Sequence, residues 1–120
     1  MNVVVVEDDV LLGHHFERIL KKAGHTVATS THALGAIRLI DETKPAVIVL
    51  DMLLTSSTAM PLLHELQSHD DLAHIPVIMT TSLAGDLSLE TLRPYGVTHV
   101  LDKATMHPDD LIAAIRSVTI

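Results

Sequence analysis

Residues 3–9 read Val-Val-Val-Val-Glu-Asp-Asp, so four β-branched apolar residues run directly into three acids. An uninterrupted apolar run of this kind predicts a strand covered on both faces, as in a parallel sheet. Four further strand-like runs follow it, and three of the five are almost continuously apolar. The runs are Val3–Val6, Thr26–Thr29, Ala46–Leu50, Pro76–Met79 and His99–Leu101.

The segments between these runs have helical spacing. Leu12, Phe16 and Ile19 begin an apolar stripe at i, i+4 and i+7, and similar stripes begin at Ala33, Ala59 and Leu111. A less regular segment from about Gly85 to Arg93 is also predicted to be a helix.

Capping residues and prolines at the expected ends support these helices. Asp9 is placed to cap the first, Ser57 or Thr58 the third, and Pro108 suits the first position of the last. The chain therefore alternates strand and helix five times. It predicts a single α/β domain over residues 1–120, with a doubly wound, flavodoxin-like parallel sheet of five strands in order 2-1-3-4-5.

Composition excludes several classes of function. The chain has 8 basic and 15 acidic residues, a formal charge of −7, which argues against binding nucleic acid or an anionic membrane. It has no cysteine, which excludes disulfides, thiol catalysis and cysteine-type zinc sites. Met1 runs into the first strand without a basic segment or a long apolar stretch, so the expected location is the cytoplasm.

Acidic residues follow two strands that are neighbours in this order. Glu7 and Asp8 come after the first strand, and Asp51 comes directly after Leu50 in the third. Ligands bind such sheets at the carboxyl ends of the strands where the order reverses, which lies between these two strands. Each pair of carboxylates about 5 Å apart would cost roughly 3 kcal/mol, and a divalent cation such as Mg²⁺ resolves that conflict.

Two other strand ends carry a hydroxyl and a cation. Thr81 ends the fourth strand, and Lys103 follows the fifth. Beside a carboxylate–metal site, these groups can hold the oxygens of a phosphoryl group during transfer.

With these four strand ends, the chain resembles the receiver domain of two-component response regulators along its whole length. The resemblance rests on Val-Glu-Asp-Asp at 6–9, Val-Leu-Asp-Met-Leu-Leu at 49–54, Pro-Val-Ile-Met-Thr-Thr-Ser at 76–82 and Leu-Asp-Lys at 101–103.

The resemblance implies that Asp51 accepts a phosphoryl group from a phosphohistidine. The donor would be a sensor histidine kinase or a histidine phosphotransfer protein. Asp8, Asp51 and the backbone carbonyl of Leu53 would ligate Mg²⁺, and Glu7 would act on the metal through water. The domain would phosphorylate itself and would not be a turnover enzyme.

It also implies a switch. Lys103 would pair first with Asp51 and then with the phosphate, and Thr81 would move towards it. A surface made of helix four, strand five and helix five would respond, and a homodimer through that surface is compatible with this role.

The chain departs from the family pattern at two positions near strand five, one after the strand and one within it. The residue after the lysine is usually a proline, but here it is Ala104, which predicts a trans Lys103–Ala104 bond and an altered loop. The usual aromatic residue three positions before the lysine is Val100, which is too short to act as a lever, so we expect weaker coupling to the output surface.

Other departures surround the acceptor. Thr55 and Ala59 stand where the family usually has proline and glycine, which predicts a more mobile loop. Leu53 and Leu83 replace polar residues that position hydrolytic water, which predicts a long-lived phospho-Asp51.

Alternative readings stay open. The departures are compatible with a pseudo-receiver, an interaction module that signals without phosphorylation. A haloacid-dehalogenase-like phosphatase would need a second aspartate where Leu53 stands, and a flavodoxin-like nucleotide binder would need a glycine-rich loop. The nine histidines read as surface residues, because spacings of five, as from His64 to His69 and on to His74, do not keep one helical face.

Overall fold

A computed structural model describes residues 1–54, 57–82 and 84–119. Its main sheet has five parallel strands in spatial order 2-1-3-4-5, so the predicted fold class and strand order are confirmed. The strands are β1 (Asn2–Val6), β2 (Thr26–Ser30), β3 (Val47–Asp51), β4 (Val77–Thr81) and β5 (Val97–Asp102).

Helices cover both faces of this sheet. They are α1 (Val10–Lys22), α2 (Ala33–Thr43), α3 (Met60–Gln67), α4 (Leu89–Leu92) and α5 (Pro108–Val118). As predicted, Asp9 caps α1 by accepting a hydrogen bond from the Leu12 N–H at 3.1 Å, and Pro108 opens α5.

The domain has two hydrophobic cores, one on each face of the sheet, and the side chains of β1 point alternately into them. Val4 and Val6 pack with α2, α3 and α4, whereas Val3 and Val5 pack with α1 and α5. Because successive strand residues point to opposite faces, a strand with helices on both sides needs apolar residues at every position. All four valines are at most 1% exposed, so β1 is anchored in the middle of the domain.

The fourth helix is shorter than predicted. In place of one helix from about Gly85 to Arg93, α4 is a single turn, Leu89–Leu92, between 3₁₀ turns at Ala84–Asp86 and Arg93–Tyr95. Ser88 caps α4 at its start, and Pro94, which has no N–H to donate, lies in the turn that follows. The two signals are too close together for a longer helix.

The start of α3 also differs from the prediction. Its N-cap is Ala59, which is fully buried and has no side-chain acceptor, and Pro61 lies in the first turn. Thr58 instead accepts a hydrogen bond from the Met60 N–H at 3.3 Å. Before α3, a short antiparallel pair of Leu53–Leu54 with Ser57–Thr58 was not predicted.

No helix in the described part of the chain is long and apolar enough to cross a membrane.

Candidate functional site

The site forms where four strands end at one edge of the sheet. Residue pairing places Val6 beside Leu50 and Asp51 beside Thr80. It also places Thr81 beside Asp102. Because the strands are parallel, the residues that follow them lie above the same edge.

Three carboxylates meet there. Glu7, Asp8 and Asp51 each offer an oxygen, and these oxygens all lie within 4.8 Å of one another. Glu7 is 2% exposed and Asp51 is 4% exposed, whereas Asp8 is half-buried and closest to solvent. The structure thus brings together the acids predicted from the ends of the first and third strands.

The ammonium of Lys103 reaches this cluster. Its Nζ lies 2.5 Å from Glu7 Oε1 and 3.1 Å from Asp51 Oδ2. The predicted approach to Asp51 is present, but the short contact with Glu7 was not predicted. The Lys103 N–H donates to the Thr81 carbonyl at 3.1 Å, which fixes the lysine beside the end of β4.

The predicted trans bond between Lys103 and Ala104 is also observed, since the described residues contain no cis peptide bond. The Ala104 N–H donates to Asp102 Oδ1 at 2.8 Å. Asp102 therefore shapes the loop after β5, a role that the sequence analysis did not assign.

Burial controls the charges of the site. Burial and a hydrogen bond with Asp51 raise the pKa of Glu7 from 4.5 to about 7, although Lys103 pulls it down. Burial alone would lower the pKa of Lys103, but hydrogen bonds and charge attraction from Glu7 and Asp51 outweigh it and raise that pKa. Lys103 is therefore charged at neutral pH, and the pKa of Glu7 lies close to neutral pH in the absence of a metal.

The backbone around the acids orients them. Asp51 Oδ1 accepts a hydrogen bond from the Leu53 N–H at 3.2 Å, and Glu7 Oε2 accepts one from the Asp9 N–H at 3.3 Å. A side chain added at Gly13 of α1 would lie 3.8 Å from the Glu7 Cβ, so this helix packs against the aliphatic part of the Glu7 side chain.

The donor set fits Mg²⁺. Three carboxylates against one ammonium leave a formal charge of −2, and hard oxygen ligands around a partly open position suit this ion. The raised pKa of Glu7 comes mainly from burial and from its hydrogen bond with Asp51, and the repulsion from the Asp51 charge, which a divalent cation would offset, adds to it.

Other predicted site residues stand as follows. Thr81 is fully buried at the end of β4, and the N–H of Leu53 is tied to Asp51. Thr55 and Leu83 lie outside the described residues. Among the described residues, three exposed apolar side chains follow the acids in sequence: Val10 and Leu11 at 53% and 81%, and Leu53 at 42%.

Comparison with known proteins gives a family match. The family model described as the response regulator receiver domain matches residues 3–116. The polar-differentiation response regulator DivK of Brucella anthropi is 28% identical over 107 residues, which cover 89% of this chain and 87% of DivK.

A second curated relative is longer. The virulence transcriptional regulatory protein PhoP of Salmonella typhimurium is 32% identical over 85 residues, which cover 71% of this chain but 37% of PhoP. The matched part of the chain thus spans a little over a third of that protein.

Solved structures share the fold. The BeF3-activated N-terminal receiver domain of RstA from Klebsiella pneumoniae superposes with a TM-score of 0.86 at 26% identity, covering 99% of this chain and 98% of that one. The chemotaxis protein CheY4 of Vibrio cholerae gives a TM-score of 0.85 at 21% identity, covering 98% and 97%.

Proposed function

Because the chain belongs to the response regulator receiver domain family, we propose that it is a phosphoacceptor of two-component signal transduction, with Asp51 as the acceptor. One observation carries this proposal: the buried Asp51 carboxylate lies 3.1 Å from the Lys103 ammonium and beside two further acids.

The donor is a phosphohistidine of a sensor histidine kinase or of a histidine phosphotransfer protein. An Asp51 oxygen attacks phosphorus, an O–P bond forms, and the P–N bond to the donor breaks with its electron pair leaving on the imidazole. Each domain is modified once by its own side chain, so the protein is not a turnover enzyme.

Mg²⁺ is the cofactor that this step uses. Asp8, Asp51 and the backbone carbonyl of Leu53 are its proposed ligands, and Glu7 acts through water. When bound, the ion neutralises charge on the phosphoryl oxygens. Lys103 supplies the second cation: its backbone N–H donates to the Thr81 carbonyl, which holds the residue beside β4, and its ammonium lies within reach of a group on Asp51.

Phosphorylation then works as a switch. The new group adds about −1.5 to −2 charge and three acceptor oxygens next to Lys103 and the fully buried Thr81. Moving a population from about 1:99 to 99:1 needs about 5.5 kcal/mol, which a few charge-assisted hydrogen bonds supply. The surface of α4, β5 and α5 is the proposed output.

A homodimer through this same output surface stays a prediction. None of the large hydrophobic side chains exposed in the described residues lies on α4, β5 or α5. Self-association through it would therefore rest on polar and charged contacts.

The surroundings of the acceptor suit a protein donor. Val10, Leu11 and Leu53 are exposed apolar residues close in sequence to the acids, and such residues give a docking protein area to bury around the reacting carboxylate. The charge of −7 makes nucleic acid an unsuitable partner for this domain. With its donor, the protein would work in the cytoplasm, as a single receiver domain over residues 1–120.

A small phosphodonor tests the proposal. Acetyl phosphate with Mg²⁺ should add one phosphoryl group to the wild type, seen by intact mass, and none to Asp51→Asn. Asp9→Asn is the matched control: Asp9 is an exposed acid beside the cluster, so this variant should be modified like the wild type. Modification of Asp51→Asn, or no modification of the wild type, contradicts the proposal.

The second candidate is a pseudo-receiver. The observation that favours it is Val100, which leaves β5 without an aromatic lever beside Thr81. In that case the wild type and Asp51→Asn would bind the partner equally well with and without the phosphodonor.

A further inference from the structure

The outer surface of α2 carries an exposed leucine between two grooves. Leu34 is 84% exposed, the largest exposure among the large hydrophobic residues described as exposed. On one side lies a groove between α2 and α3, lined by Ala33, Leu34, Ile37, Pro61, Leu62 and Glu65. On the other lies a second groove whose lining includes Gly35, Ile37 and Arg38. We call the first the α2–α3 groove and the second the outer groove.

The two grooves carry opposite charges. Glu65 of α3 borders the α2–α3 groove, whereas Arg38 of α2 borders the outer groove. An α-helix has about 3.6 residues per turn, so Arg38 lies one turn after Leu34 and on the side away from Ala33. Ile37 borders both grooves. The surface is therefore an apolar ridge at Leu34 with an acid on one side and a base on the other.

A surface of this kind is complementary to itself. A two-fold axis parallel to α2 places the α2–α3 groove of each copy over the outer groove of the other. Glu65 of each copy then faces Arg38 of the second copy, twice, and the two Leu34 side chains meet at the centre. We propose that this surface is a weak homodimer contact, with a second copy of this chain as its occupant.

Charge further along α2 does not oppose this arrangement. Asp41 lies two turns after Leu34 on the same face and would approach its own counterpart. However, its carboxylate already accepts a hydrogen bond from Lys44 Nζ at 2.8 Å, and Lys44 also pairs with Asp71. The like charges are thus partly neutralised within each copy.

Size indicates a weak dimer. A standard interface buries about 800 Å² per partner, which would be about an eighth of the 6338 Å² surface of this chain. One exposed leucine per copy with two ion pairs supplies less than such an interface. Self-association should therefore appear at high protein concentration, and it does not require Asp51.

Sedimentation equilibrium over a concentration series tests the proposal, with Leu34→Asp as the variant and Leu11→Asp as its matched control. Leu11 is also an exposed leucine, 81% accessible, but lies on α1 beside the acceptor site. We expect a reversible dimer of the wild type, at least tenfold weaker in Leu34→Asp and unchanged in Leu11→Asp. A monomer at all concentrations up to about 1 mM, or equal weakening by both changes, overturns the proposal.

Charge reversal tests the orientation of the two copies. Arg38→Glu and Glu65→Arg should each weaken the dimer about tenfold, because each turns two attractions into two repulsions. The double variant should restore wild-type affinity. Within each copy Glu65 Oε1 also lies 3.1 Å from His69 Nε2, so all variants are compared in the same buffer. Failure of the double variant to recover overturns the two-fold arrangement.

Discussion

The buried Glu7 gives a prediction about stability that does not depend on any partner. Glu7→Gln keeps the shape of the side chain and removes its ionisable proton. In metal-free wild type, burial and the hydrogen bond with Asp51 raise the pKa of Glu7 from 4.5 to about 7. The folded state thus keeps a proton between these pH values that the unfolded state releases.

The sign and size of the effect follow from this difference. Because the folded state binds the extra proton, raising the pH through this window favours unfolding. The change is about 1.4 kcal/mol per pH unit. From pH 4.5 to 7 the loss is therefore about 3 kcal/mol, a large share of the 5–15 kcal/mol typical of a domain. Above pH 7 the contribution is constant.

Urea unfolding at a series of pH values, with EDTA present, measures the contribution of Glu7 to the free energy of unfolding. Other groups titrate in the same range, so the informative quantity is the wild-type free energy of unfolding minus that of Glu7→Gln. The difference should fall by about 3 kcal/mol from pH 4.5 to 7.5. A difference that stays constant within about 1 kcal/mol, or that rises with pH, refutes the reasoning.

Magnesium should change this dependence. The cation needs ionised carboxylates, so below pH 7 its binding displaces the Glu7 proton and its affinity should fall about tenfold per pH unit. Calorimetry in two buffers of different ionisation enthalpy counts the released protons. The Glu7→Gln variant should release fewer protons than the wild type when Mg²⁺ binds. Equal release by both proteins would separate Glu7 from the metal site.

Three further predictions concern single residues. Asp9→Ala removes the acceptor for the Leu12 N–H and should lower the free energy of unfolding by about 1 kcal/mol, measured by urea unfolding. Leu53 should exclude water from phospho-Asp51, so the wild-type phosphoryl group should survive well beyond seconds by intact mass, and Leu53→Asn should shorten its lifetime; wild-type hydrolysis within seconds contradicts this. Amide shifts should change little around Val100 on phosphorylation, and a large rearrangement there would show that an aromatic lever is not required.

Sequence reasoning succeeded where one local pattern has one structural solution. The four valines of β1 can be buried at every position only if helices cover both faces of the strand, and the structure has that arrangement. Once the strands are parallel, their carboxyl ends share an edge, so the meeting of Asp8 with Asp51 follows from strand order alone.

It failed where competing local signals lie close together. Between β4 and β5, the apolar residues suggested one helix, but Ser88 and Pro94 leave room for a single turn. Histidine as an N-cap was also missed: His32 Nδ1 accepts from the Gly35 N–H at 3.1 Å, although histidine is not among the preferred capping residues.

The sequence also could not predict which carboxylate Lys103 contacts more closely. Glu7 and Asp51 both follow central strands, and strand order brings the lysine to each of them. The shorter contact is with Glu7, whose longer side chain reaches further across the edge of the sheet, and only the packed side chains decide this.

The loop after β5 shows how Lys103 keeps its place without the usual proline. Asp102 holds the loop at two points: its carboxylate accepts the Ala104 N–H at 2.8 Å, and its carbonyl accepts the Met106 N–H at 2.9 Å. A proline at position 104 has no N–H and could not make the first bond. The hydrogen bond between the Ala104 N–H and the Asp102 carboxylate therefore shapes this loop where a proline would usually do so. Lys103 still lies 3.1 Å from Asp51 in this loop. The departure from the family pattern at this position thus leaves the approach of Lys103 to Asp51 in place, whereas weaker coupling through Val100 stays a prediction.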